Sequence, residues 1–444
     1  MEKLKRVELS PPQVLAIGYL MLIAIGTFLL QLPFAVQGEE RLALVDALFT
    51  ATSATAITGL VVVNTGETFT VFGQVIIMVL FQIGALGFMT VTTLYAIILG
   101  KNISLRQRMV LQSSLNHLTQ AGILKLTISI VSFALIVEGI AAIILFLKWY
   151  PTMGVTQGAY YAVFHAVSSF ANAGFDLFEN SLHQYTGDLV VNLTITFLFI
   201  TGGLGYYVIM DLLAHKGRFK KLALHSKIVI TFSVILGIIG ILTILLFESN
   251  NPKTLGELSL TEKLLGAYFQ GLTPRSAGFS TIEIGEMTSP SILMTMVLML
   301  IGGGTGGTAG GIKVTTFAVL ILVIYALVKG RGEVSVFKRR ISYHIILKAI
   351  AITIISLVGV FFLIICLMVT EKAPFEVIMF EALSAFFTVG LSMGLTGDLT
   401  PVGKVLLSIA MFVGRIGPMT IAFALALRLQ KSSVRYIEED ITVG

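Results

Sequence analysis

Charge and cysteine are scarce in this 444-residue sequence. Only 12% of its residues are Asp, Glu, Lys or Arg, whereas 56% are hydrophobic and mean hydropathy is +0.93. That balance excludes an ordinary soluble domain. The single cysteine, Cys366, sits in an apolar run, so no intrachain disulfide can form and the redox compartment is not legible from it. Metalloprotease spacing such as His-Glu-x-x-His is missing, and the six histidines do not cluster at ligand spacings. An intramembrane enzyme is therefore a remote reading, and no catalytic residue is expected.

Long apolar runs are what the sequence has instead. Residues 13–32, 70–99, 123–147, 226–247 and 345–370 each exceed the ~18 to 20 residues needed to cross about 30 Å of hydrocarbon as a helix. They lack the period-two alternation of a barrel, so the expected class is an all-α integral membrane protein. The first run is too long for a signal-peptide core and no small-x-small cleavage site follows it, which makes it a first span. Of the 30 Lys and Arg, 21 fall in residues 1–12, 100–125, 214–227, 329–348 and the tail from 428. Acidic segments alternate with them, at 37–41, 176–180 and 248–258. The positive-inside bias predicts cytoplasmic termini and cytoplasmic basic linkers, in contact with lipid headgroups or a soluble partner.

Between successive basic linkers the same unit recurs: an apolar span, an outer loop, a short amphipathic stretch of about 12 residues, a small-residue knot and another span. At ~1.5 Å per residue the short stretch cannot cross the bilayer, so it must dip in and return. Four units follow, at residues 1–100 (pore loop 53–60), 101–213 (168–176), 214–330 (272–280) and 331–444 (384–392, then the tail). Aligning Gly59, Gly174, Gly278 and Gly390 gives separations of 115, 104 and 112 residues, an internal period. Ten residues before each glycine stands an aromatic, Phe49, Phe164, Tyr268 and Phe380; six before stand Ser53, Ser168, Leu272 and Ser384. Core packing accounts for the aromatics. A fourfold glycine at the end of a short helix points to backbone turned inward at angles other residues resist.

Four such loops on one axis would present a ring of backbone carbonyls able to replace the hydration shell of a cation. Inward-pointing helix C-termini would add partial negative charge. The knots carry almost no fixed charge. Asp176, two residues beyond Gly174, is the exception and is placed at the outer mouth. Selection by carbonyl geometry favours a large monovalent ion, potassium. The expected filter residues are Thr58, Gly59, Ala173, Gly174, Ala277, Gly278, Val389 and Gly390.

From "SPPQVLAIG" at 10–18 through "GRIGPMT" at 414–420 the chain resembles the membrane subunits of bacterial Ktr potassium uptake systems (KtrB/KtrD-like), in the Trk/Ktr/HKT superfamily. The resemblance implies four covalently joined helix, pore-loop, helix repeats around one pore, with eight transmembrane helices and four re-entrant pore helices, as in a potassium channel. It implies that the four aligned glycines are the filter glycines, and Gly59 implies potassium preference, since plant relatives with serine there admit sodium. Thr388-Val389-Gly390 is similar to the Thr-Val-Gly core of tetrameric potassium channels. The second loop departs from the family at Ala171 and Asp176. A homodimer docked on a cytosolic KtrA/KtrC-like regulatory ring is implied as well, with ATP, ADP or a dinucleotide bound only on that partner and no cofactor on this chain.

The inner span of the third unit, about 289–328, would be ~60 Å long as one helix, so it must be broken. The break is written as Gly302, Gly303, Gly304, Thr305, Gly306, Gly307, Thr308, Ala309, Gly310 and Gly311. No Gly-Lys-Ser/Thr occurs there, which argues against a nucleotide loop. Small-residue helix packing competes with a flexible loop lying under the filter as a gate, and the family's intramembrane loop sits at this place. It is taken as the only broken inner helix. Lys313 and Arg415 are cations in apolar surroundings, where a charge needs a cavity or a partner. Arg415 resembles the family's arginine below the filter, repelling cations or bonding the loop's carbonyls. Lys313 could snorkel instead, and Glu138 could be its partner or could reach the outer surface. His165 shares a pore-helix position with Thr50, Phe269 and Glu381 and reads as a hydrogen-bonded structural histidine, while Arg275 props its loop by bonding carbonyls. The repeats read as parallel, since basic linkers follow every second span, which argues against an alternating-access transporter with inverted repeats; sodium-coupled symport on the same scaffold is the main alternative function.

Overall fold

The computed structural model describes residues 10–38, 41–99, 109–112, 123–417 and 420. Residues 1–9, most of the first basic linker and the C-terminal tail with "YIEEDITVG" lie outside the described residues.

A long helix, a short helix and a third helix follow one another four times. The first set is α1 (Pro11–Leu30), α2 (Leu44–Thr55) and α3 (Val71–Leu86), continued by α4 (Phe88–Ile98). The second is α5 (Ile123–Met153), α6 (Val155–Ala171) and α7 (Leu189–Leu204), continued by α8 (Tyr206–Ala214). The third is α9 (Leu224–Glu248), α10 (Leu260–Leu272), α11 (Ser289–Leu300) and α12 (Val314–Val328). The fourth is α13 (Tyr343–Thr370), α14 (Phe375–Phe386) and α15 (Pro401–Ile416). A small antiparallel hairpin, Ser335–Val336 paired with Arg339–Arg340, connects α12 to α13. Among the described residues α1, α5, α9 and α13 are each long and apolar enough to cross a membrane.

Local chemistry fixes where the helices begin. Ser10 and Gln13 form a capping box ahead of Pro11, and Ser259 and Glu262 do the same for α10. Residues ahead of the third helices also tie back to the end of the preceding long helix or the turn beyond it. The Thr70 hydroxyl donates to the Phe34 carbonyl at 2.7 Å, and Asp188 pairs with Lys148 at 2.5 Å. Thr288 donates through both its amide (2.9 Å) and its hydroxyl (2.6 Å) to Glu248, and Thr400 likewise to Glu371 (3.0 and 2.6 Å). Each N-cap thus sets the entry of its helix against the helix two before it.

The helices close into a ring. α3 packs on α6, α7 on α10, α11 on α14, and α15 returns to α2. Large aromatics seal the joints, with Phe49, Phe164, Phe269 and Phe380 all fully buried.

The expectation of a single broken inner helix is not what the fold contains. The run 70–99 bends by 93° between Val71–Leu86 and Met89–Ile97, and Leu189–Leu204 meets Tyr206–Ala214 at 98°. The hinges are Gly87 (φ 83°) and Gly205 (φ 96°), and α15 likewise stops at Gly417 (φ 93°). Three residues before each hinge lies a second glycine, Gly84, Gly202 or Gly414, whose missing side chain lets a pore-helix carbonyl in: that of Thr55, Phe170 or Phe386 respectively. The spacing G-x-x-G at 84–87, 202–205 and 414–417 carried this signal in the sequence. It is overshadowed there by the longer glycine run, which does separate α11 from α12 as expected.

Candidate functional site

The short helices α2, α6, α10 and α14 each deliver their C-terminus to the same place. After them the backbone takes one unusual course four times. The residue two before each aligned glycine has left-handed φ, Ile57 at 51°, Asn172 at 56°, Ser276 at 64° and Thr388 at 51°, and the glycines follow at 92°, 69°, 79° and 95°. For β-branched Ile57 and Thr388 this is a true outlier. Such conformations cost about 1–3 kcal/mol each and persist only where the surroundings dictate them.

The consequence is a ring. A Cβ built on Gly59 would lie 2.7 Å from the Ala173 carbonyl oxygen; on Gly174, 3.3 Å from that of Ala277; on Gly278, 3.1 Å from that of Val389. On Gly390 it would overlap the Thr58 carbonyl oxygen. The eight residues singled out from sequence therefore meet in cyclic order, and no side chain fits at the four glycines without displacing backbone.

Side chains behind the ring hold it. Ser53 and Ser384 accept from the Gly59 and Gly390 amides at 3.2 and 3.1 Å, while Ser168 donates to the Phe175 carbonyl at 2.6 Å. In the third loop this role falls to Thr273, which donates to Phe279 at 2.5 Å, and not to Leu272. The buried aromatic there is Phe269, not Tyr268. This segment is one residue shorter than the other three, so the alignment on its glycine is out of register along α10. The corrected companions of Thr50, His165 and Glu381 include Gln270 in place of Phe269, and all four are buried polar residues. His165 accepts from the Leu177 amide at 3.4 Å and its Nδ1 lies 2.7 Å from the Tyr161 carbonyl oxygen, a structural setting. Glu381 accepts from Met393 N at 3.1 Å, from Thr396 at 2.8 Å and from Ser392.

On one side of the ring lies a cavity of about 370 Å³ lined by all four glycines. Asp176, Glu179, Glu283 and His183 line it too. Burial holds the His183 imidazole below its ordinary pKa, opposed by the charge of Glu283, so it adds no fixed positive charge there near neutral pH.

On the other side lies the loop between α11 and α12. Thr308 donates its hydroxyl to Asn172 at 2.8 Å, Asn172 donates to Ser276 at 2.8 Å, and Gly310 packs directly on Thr388. The loop is pinned by backbone bonds from Gly302 to Ile312, Gly304 to Gly203, Thr308 to Gly202 and Val314 to Gly303, at 2.7–3.1 Å. This segment, termed the plug for its position beneath the ring, is thus fitted in place and not a loose strand. Arg415 donates to the Thr308 carbonyl at 2.6 Å and also to that of Gly84, joining plug to α3. Lys313 donates to Ala309 at 2.6 Å. Glu138 is not its partner: it is buried and held by Gln82, 3.0 Å from both carboxylate oxygens. Arg275 bonds Ser233 and the Gly302 carbonyl (3.3 Å), bracing the third loop against the start of the plug.

A fourfold backbone ring in a helical membrane protein invites comparison with known transporters. Residues 13–436 match the TrkH family of cation transport proteins. The chain belongs to that family. TrkH-family relatives include the Ktr system potassium uptake protein B of Bacillus subtilis, 47% identical over 99% of this chain and 98% of its own length. The protein of the same name from Vibrio alginolyticus is 40% identical over 98% and 95%. The potassium/sodium uptake protein NtpJ of Enterococcus hirae is 40% identical over 100% and 99%. The crystal structure of the potassium transporter TrkH from Vibrio parahaemolyticus shares the fold, with TM-score 0.73 at 18% identity over 96% of this chain and 87% of that one. The chain is a multi-pass membrane protein of this cation transport family.

Proposed function

We propose that this chain is the potassium-translocating subunit of a Ktr-type uptake system in the cell membrane, with both termini cytoplasmic, and that it has no catalytic chemistry of its own. The observation that carries the reading is the cyclic contact of each aligned glycine with the carbonyl before the next. Those carbonyls, of Thr58, Ala173, Ala277 and Val389, replace water around a dehydrated potassium ion, at little cost because the left-handed backbone is built before the ion arrives. Among the described residues the buried hydroxyls of Thr58, Ser276 and Thr388 lack partners, which suits a path for ions and water. The cavity bearing Asp176 and Glu283 is the outer mouth and concentrates cations.

Four units, with bounds near 1–100, 101–213, 214–330 and 331–444, supply eight spans and four re-entrant helices to this pore. Residues 302–311 are the gate. Arg415 and Lys313 hold it shut through the Thr308 and Ala309 carbonyls, and a homodimer on a cytosolic nucleotide-binding ring releases it. Nucleotide binds that ring and not this chain. The potassium/sodium name of the Enterococcus relative favours sodium-coupled symport as a second reading.

The test is rubidium uptake into liposomes holding the purified chain, with sodium and a regulatory ring added in turn. Saturable rubidium flux blocked by potassium supports the reading. Flux that requires sodium on the same side supports symport, and transport of neither ion by folded protein overturns both.

A further inference from the structure

Beneath the plug is a second cavity of about 540 Å³, apart from the one above the ring. Lys313, Arg415 and Lys348 all line it, and among the described residues no Asp or Glu does. Among the described residues none of the three has an ion-pair partner. Lys313 and Arg415 each commit a donor to the plug and Arg415 a second to Gly84, and both side chains carry more N–H groups than these bonds use. Tyr206 lines the same space, is 3% exposed, and its hydroxyl has no partner among the described residues. Two half-buried cations, Lys313 and Arg415, the exposed Lys348 and a buried hydroxyl without a partner among the described residues surround one void, and a negative group would complete them. The remaining wall includes apolar Leu15 and Ile345.

We propose that this cavity binds a phosphate-bearing anion, either the headgroup of an anionic phospholipid or free inorganic phosphate. The Arg415 guanidinium offers a planar fork for two phosphate oxygens, the lysines supply point charges and Tyr206 donates a further hydrogen bond. The volume accommodates a headgroup or a free phosphate ion. Bound there, the anion neutralises the cations that a potassium ion meets on leaving the plug, and it joins α12, α13 and α15. The proposal concerns this cavity alone and stands or falls independently of the filter reading.

The experiment measures thermal unfolding of the full purified chain in a neutral detergent, with added inorganic phosphate, dioctanoyl phosphatidylglycerol, or chloride at matched ionic strength. Lys348 is exposed at the start of α13, outside both ring and plug, so Lys348→Gln and Lys348→Arg are the variants. Saturable stabilisation is expected, with the apparent dissociation constant about tenfold weaker in Lys348→Gln and near wild type in Lys348→Arg, as for one lost charge-assisted bond. Stabilisation by phosphate and lipid alike identifies the free ion as a ligand, and stabilisation by the lipid alone identifies the headgroup. No stabilisation beyond chloride, or equal affinity in wild type and Lys348→Gln, overturns the proposal.

Discussion

At the scale of single residues, the ring depends on what glycine leaves out. Gly59→Ser puts a Cβ against the Ala173 carbonyl at φ 92°. Turning that carbonyl aside removes on the order of 1–2 kcal/mol of discrimination, so the potassium-to-sodium flux ratio should drop roughly tenfold. Unchanged selectivity in a vesicle flux assay would remove Gly59 from the filter. Glu381→Ala deletes the acceptor of three donors, that of Thr396 buried, and should lower stability by about 1–3 kcal/mol, seen as an earlier thermal midpoint. An unshifted midpoint would mean that residues 391–396 of the fourth loop hold their place without Glu381. The glycines were legible because their type and period both stand out. Thr273, Phe269 and Gln270 were not, because Tyr268 offers an aromatic at the wrong register. The left-handed Ile57, Asn172, Ser276 and Thr388 share no residue type, and only their common geometry relates them.

At the scale of elements, the plug of residues 302–311 and the hinged helices divide the work. Shortening this loop removes its bonds to Gly202 and Gly203 and its seat on Thr388, and should raise basal rubidium flux several-fold without any regulator. A folded variant that transports nothing would make the segment a packing joint. Arg415→Gln loses the tie to Thr308 that lies below the ring, so flux should increase while the potassium-to-sodium ratio stays near wild type. A strong change in that ratio would put Arg415 at the filter itself. Hydropathy revealed the long helices α1, α5, α9 and α13, because length and apolarity suffice for them. The bends at Gly87 and Gly205 escaped it, since hydropathy is blind to one backbone angle inside an apolar run.

At the scale of the whole molecule, the four helix sets interlock with their neighbours, with α15 returning to α2 to close the circle. The period of the aligned glycines implied that circle, and the order of its contacts came only from the fold. The account rests on carbonyls from four loops sharing one ion. Anomalous diffraction from crystals soaked in rubidium addresses it directly. The account predicts a peak encircled by the carbonyl oxygens of Thr58, Ala173, Ala277 and Val389, lost when potassium replaces rubidium. A protein that takes up rubidium into liposomes yet shows its peaks elsewhere, with none inside that ring, would contradict it.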